Sequence, residues 1–112
     1  MKERTFNFAL EVVRLCRALD GGRRSQTLGR QLLRSGTSIG ANVEEAQAGQ
    51  SRADFVNKRS IALKEARETI YWLRLLIASE ICSNGRSETF QREAQEIARI
   101  IGSIIVNTKN RR

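Results

Sequence analysis

Four carboxylates stand out because their spacing lets them converge. Glu44 and Glu45 fall near the end of one helical segment, and Glu65 and Glu68 lie one turn apart on the next. If the two segments fold back on each other, the two sets come within one or two turns. Four acids can hold a metal, or they can pair with Arg52, Arg67 or Arg34. Ion pairing is the expectation, because the chain is rich in arginine and has no histidine. Histidine is the commonest general base and a usual metal ligand, and its absence also removes the Glu-x-x-His ligand set of di-iron bundles. Cys16 and Cys82 are the only cysteines and lie too far apart in sequence for a zinc motif. Gly36 and Gly40 lack the following Lys-Ser/Thr of a phosphate loop. These readings point to a non-enzymatic protein with no cofactor and no metal.

The charge balance offers a different chemistry. The formal net charge is +8, which favours polyanions such as RNA or DNA; the alternative is a soluble surface rich in arginine. The first 34 residues hold eight Lys/Arg against three acids. Within them, Arg14, Arg17, Arg23, Arg24, Arg30 and Arg34 can share one end or flank of the first two helices. Aromatic residues are few, so single-strand recognition by stacking is not expected, and backbone contact with duplex or structured RNA is.

The elements that must position these residues read as four amphipathic helices, at about residues 3–19, 25–48, 52–82 and 87–108, in a single domain spanning 1–112. In the first, Phe6, Ala9, Val13 and Cys16 form a stripe beside Leu10, Val12 and Leu19, and Asp20-Gly21-Gly22 ends it. In the second, Ser25 is the expected N-cap, and Leu28, Leu32, Ser35, Ile39, Val43 and Ala46 continue the stripe. Gly29, Gly36 and Gly40 lie inside this helix, where each costs about 1 kcal/mol relative to alanine. With Ser35, Thr37, Ser38 and Ala41 around them, Gly36 and Gly40 make a smooth patch that lets another backbone approach closely. Asn42 lies beside the stripe and is expected to bond a neighbouring helix.

Gly49 reads as a helix end, and Ser51 precedes Asp54 by three residues, a variant of the capping box. So short a link imposes a helical hairpin. The third helix carries Phe55, Arg59, Ala62, Ala66, Ile70, Leu73 and Ile77 in one stripe, with Arg59 where a leucine is expected. Its second face bears Ile61, Glu65, Glu68, Trp72, Leu75 and Leu76. Ile61, Trp72, Leu75 and Leu76 are therefore read as an oligomer interface, since a small bundle covers one apolar face.

Ser83-Asn84-Gly85 closes the third helix and Ser87 caps the fourth. There Phe90, Ala94, Ile97, Ile101, Ile104 and Thr108 repeat in heptad-like rhythm, and Glu88 precedes Arg92 by four residues, the favourable order for a pair. Residues 109–112 are basic and expected to fray. The densest apolar run, 97–106, is too short to span a membrane. Both cysteines sit among apolar residues, which suggests free buried thiols in a reducing cytoplasm. The architecture expected is all-α, an antiparallel up-down-up-down four-helix bundle.

The run RSGTSIGANVEEAQAGQSRADF, followed by SIALKEARETIYWLRLL, resembles the four-helix-bundle family named for proteins encoded in intervening sequences of bacterial 23S rRNA genes. The resemblance covers nearly the whole chain. It implies a ring-like homopentamer. It also implies kinship with the accessory variability protein of diversity-generating retroelements, which binds nucleic acid and a reverse transcriptase. The residues shared with that family, Ser35, Gly36, Gly40, Asn42, Glu44, Glu65 and Glu68, read as structural. Arg59 departs from its pattern, which is apolar there. Two functions are carried forward: a basic oligomer that binds nucleic acid or serves as an adaptor in a nucleoprotein complex, and a structural or protein-partner module whose charge only aids solubility.

Overall fold

The computed structural model describes residues 1–19, 22–81 and 86–110. Four helices, α1 (Lys2–Ala18), α2 (Arg23–Ala48), α3 (Arg52–Ala78) and α4 (Arg86–Lys109), follow in order, with no strand among the described residues. They form a body of 50 × 19 × 19 Å. α2 packs on α1 and on α3, and α3 packs on α4. The core is aliphatic, with Val12, Leu15, Leu32, Ile39, Val43, Leu73, Leu76, Ile97 and Ile101 essentially excluded from solvent.

The small patch on α2 does what its composition suggested. A Cβ at Gly36 would lie 3.0 Å from a Val12 methyl, and one at Gly40 would lie 3.3 Å from the Thr5 carbonyl oxygen. Thr5 is buried and disposes of its hydroxyl on the Met1 carbonyl at 2.9 Å. α1 therefore approaches α2 where α2 carries no side chain. Contacts advance on α1 as they recede on α2: Thr5 meets Gly40, Val12 meets Gly36, and Cys16 meets Gly29. Ser51 caps α3, its hydroxyl accepting from the Asp54 amide at 3.1 Å.

Several stripes lie in a different phase from the one expected. On α1 the core positions are Thr5, Phe8, Val12 and Leu15, while Phe6 is 59% exposed. Two apolar rows run side by side on this helix, and the row with the larger facing volume, Phe8 with Phe90 edge-to-face at 6.0 Å, points inward. On α3 Thr69 and Leu76 are buried in place of Ile70 and Ile77. Thr69 tolerates burial because its hydroxyl donates to the Glu65 carbonyl at 2.8 Å and meets the Ser35 hydroxyl at 3.0 Å. On α4 Ile105 is buried and Ile104 only partly.

The helix ends differ as well. Gly22, not Ser25, is the N-cap of α2, and Ser25 is buried within the first turn. α3 stops at Ala78, and Glu80 takes a left-handed conformation with φ 61°. Ser87 lies inside α4, not at its cap, and is buried. Asn42 bonds its own helix, Nδ2 donating to the Ser38 carbonyl at 2.9 Å. No Glu88–Arg92 pair forms among the described residues. Asp20-Gly21, Cys82, Ser83-Asn84-Gly85 and the basic end at 111–112 lie outside the described residues.

Arg59 occupies the stripe position where an aliphatic residue was expected. It is 2% exposed, its guanidinium lies 4.9 Å from the Phe55 ring centroid, and Nε and Nη1 have no hydrogen-bond partner. Burial lowers its pKa from the ordinary arginine value, yet a guanidinium stays charged at neutral pH.

Candidate functional site

The six arginines assigned to a polyanion surface are all exposed, and they divide by partner. Arg14 Nη1 donates to Glu11 at 2.6 Å along its own helix. Arg34 reaches across to α3, where its two Nη groups engage Glu65 at 3.3 Å and Glu68. That leaves Arg17 in the last turn of α1, and Arg23, Arg24 and Arg30 in the first two turns of α2, without an acidic partner among the described residues. The first turn of α2 holds no acid at all. Cations at a helix N-terminus oppose the macrodipole, so Arg23 and Arg24 add to a positive potential that nothing on their own helix relieves.

Beneath these arginines lies a hollow of about 380 Å³ lined by Cys16, Leu19, Ser25, Gln26, Gly29 and Arg30. Cys16 is a free thiol whose Sγ donates to the Gly29 carbonyl at 3.3 Å, and burial pushes it up to about 11. A thiol so raised is neutral at physiological pH and is a packing group rather than a nucleophile.

The carboxylates do not converge as a set of four. Glu65 and Glu68 are drawn together by Arg34, and Glu68 also accepts from Trp72 Nε1 at 3.3 Å. The side chain of Glu65 is only 12% exposed, so Arg34 offsets a charge that would otherwise be costly to cover. Glu44 and Glu45 stand exposed further along α2 and take no part in this network. Among the described residues, no three Asp, Glu or Cys side chains are grouped so as to hold a metal. Below the network the Ser35–Thr69 contact ties the same two helices together inside the core.

The second face of α3 is redrawn at one position. Ile61, Trp72 and Leu75 are half-buried and remain on the surface, whereas Leu76 is completely buried in the core and belongs to no outer face. Tyr71, which the sequence reading passed over, is 51% exposed and stands edge-to-face with Trp72 at 5.2 Å. Its signal was available: it falls one turn from Arg67 and Arg74, on a row otherwise made of cations. A further hollow of about 410 Å³ opens between α1 and α4 around Phe8 and Phe90. The Arg4–Glu93 pair closes it with two bonds of 2.7 and 2.8 Å. No described helix is long and apolar enough to cross a membrane.

Comparison with known proteins agrees with this architecture. A crystal structure of a protein with unknown function from the S23 ribosomal protein family of Bacteroides thetaiotaomicron superposes with a TM-score of 0.87. It is 46% identical over 93% of each chain. A search of the curated proteins finds no match. The sequence model of the 23S rRNA-intervening sequence protein family matches residues 1–103. The chain belongs to the 23S rRNA-intervening sequence protein family.

Proposed function

We propose that this protein is a non-enzymatic, basic, self-associating bundle that binds nucleic acid, either directly or as an adaptor within a nucleoprotein complex. The observation that carries the reading is the group of arginines at the α1/α2 end, Arg17, Arg23, Arg24 and Arg30, which have no acidic partner among the described residues, on a chain of net charge +8. Exposed cations with no acid to neutralise them are what phosphate contacts use. The bundle alternates up and down, a topology supported by the opposed order of contacts between α1 and α2. Self-association is supported by the half-buried Ile61, Trp72 and Leu75 on α3, and a homopentamer is the assembly that the family resemblance implies. The unreactive, free Cys16 fits a reducing cytoplasm.

The test is binding of a structured RNA and of duplex DNA at low and moderate ionic strength. Affinity should fall steeply between about 50 and about 200 mM salt, as counterion release demands. Absence of salt-sensitive binding at the lower concentration removes the reading. The second reading, a protein-partner module, is favoured by the same Ile61, Trp72 and Leu75 surface. A reverse transcriptase is one partner class that the family resemblance suggests. Recovery of a stoichiometric protein partner after nuclease treatment, without nucleic-acid binding by the pure protein, selects it.

A further inference from the structure

A second uncompensated positive surface lies away from the α1/α2 end. On α3, Lys64, Arg67, Tyr71 and Arg74 follow one another at steps of three, four and three, all exposed, and so form one row. On α4, Arg92, Arg99 and Val106 recur every seventh position, with Lys109 three residues further on, again all exposed. Arg67 of the first row and Arg99 and Val106 of the second line a shallow groove of about 590 Å³ between the two helices, together with Leu63 and Gly102.

Lys64, Arg67, Arg74, Arg92 and Lys109 have no acidic partner among the described residues, and only Arg99 is paired, with Glu96. Like charges one turn apart, as at Lys64 and Arg67, work against the helix that carries them. Gly102 points the same way. A Cβ there would meet nothing within 4 Å, so its own chain does not require a glycine, unlike Gly36 and Gly40. Its absent side chain keeps the groove floor open to an approaching backbone.

The rows and the groove also carry apolar and π surfaces: Val106 in the α4 row is 56% exposed, Leu63 in the groove is half-buried, and Tyr71 in the α3 row presents a ring held by Trp72. A duplex keeps its bases stacked inside and would leave this surface uncovered. A single strand would lay phosphates on the cations and unstacked bases on the ring and the aliphatic floor. The rows run for about 15 Å along α3 and about 26 Å along α4 at the helical rise, room for several nucleotides. We infer that the α3/α4 face, from Lys64 to Arg74 and from Arg92 to Lys109, is a track for a single strand of nucleic acid. This rests on the nucleic-acid reading above, but moves its principal contact from the α1/α2 end to the opposite helix pair. It also restores a stacking contribution that the scarcity of aromatics had argued against.

The experiment is fluorescence anisotropy with a labelled oligouridylate of about 12 nucleotides and an RNA duplex of the same length, at two salt concentrations. The wild-type protein should bind the single strand more tightly than the duplex. The triple variant Lys64→Glu/Arg67→Glu/Arg74→Glu should lose at least roughly tenfold in single-strand affinity. Arg23→Glu/Arg24→Glu/Arg30→Glu should lose less, and Tyr71→Ala should weaken the single strand alone. Circular dichroism and melting certify that each variant is folded, and the milder Lys64→Gln/Arg67→Gln pair, with a smaller loss in the same direction, stands in should charge reversal disturb the helix. Undiminished binding by the α3 variants, with loss in the α2 variant, overturns the track and leaves nucleic-acid binding standing. A preference for duplex overturns the ligand class. Failure of the wild type to bind either probe at low salt overturns both proposals.

Discussion

Arg59 is the residue that least suits its surroundings. It sits in a stripe with Ala62, Ala66 and Leu73, nearly excluded from water, with Nε and Nη1 unpaired and the Phe55 ring against its guanidinium. A cation over a ring recovers roughly 0.5–2 kcal/mol, less than the several kcal/mol that covering an unpaired charge costs. Arginine cannot relieve that cost by releasing its proton near neutral pH. Arg59→Met keeps most of the aliphatic stem and removes the charge. It should raise stability by the order of 1–4 kcal/mol, measured by denaturant unfolding of the intact protein. A fall in stability of similar size would show that the guanidinium finds acceptors in solution. The contrast with Arg34 is instructive. Arg34 is half-exposed and chelates two carboxylates, so Arg34→Met should leave Glu65 and Glu68 repelling each other on one turn.

At the scale of the elements, the glycines inside helices separate into those that α1 crowds and one, Gly102, that nothing crowds. Alanine in a helix interior is favoured over glycine by about 1 kcal/mol. At Gly102 nothing stands in the way, so Gly102→Ala should gain most of that amount. At Gly36 the new methyl meets both Val12 methyls at 3.0–3.1 Å, and Val12 is fully buried and has nowhere to turn. At Gly40 it meets the Thr5 backbone, which moves only if α1 moves. Gly36→Ala and Gly40→Ala should therefore be net destabilising, by about 1–3 kcal/mol, in the same unfolding measurement. Stabilisation by either would mean that α1 does not lie where it is placed. These helices were readable in the sequence because glycine spacing, the Ser51 cap and the α2 stripe all agree on one face. The α1 stripe was misread because two apolar rows, Phe6–Ala9–Val13–Cys16 and Phe8–Val12–Leu15, are equally regular, and only the partner helix decides between them. Thr69 and Thr5 were invisible as core residues because their hydroxyls are satisfied by carbonyls one turn back, a local bond that composition does not reveal. In the candidate site, exposure of the arginines followed from charge alone. The removal of Arg34 into a network did not, because it depends on the register between α2 and α3.

For the whole molecule, the proposed assembly and the proposed ligand respond to salt in opposite directions, which makes them separable. Five copies at +8 each would bring about +40 into one particle, and such self-repulsion is relieved as salt screens it. Polyanion binding weakens over the same range. Light scattering should therefore show assembly maintained or enhanced as salt rises from about 50 to about 500 mM, while anisotropy shows ligand release. Trp72 connects the two scales. It is half-buried, and its own chain supplies partners in Glu68 and Tyr71, so its loss would lower the stability of a monomer as well as of an oligomer. The discriminating readout is how melting depends on protein concentration, since subunit association makes that dependence appear. Trp72→Ala should reduce both the mass in solution and the concentration dependence of melting. Ile61→Glu, which sets a charge on the same outer face without touching the Trp72 contacts, should do the same with less effect on the isolated chain. Unchanged mass in both variants would place the subunit contact elsewhere on the bundle, and would leave the exposed pair Phe6 and Leu10 on α1 as the next apolar surface in need of cover.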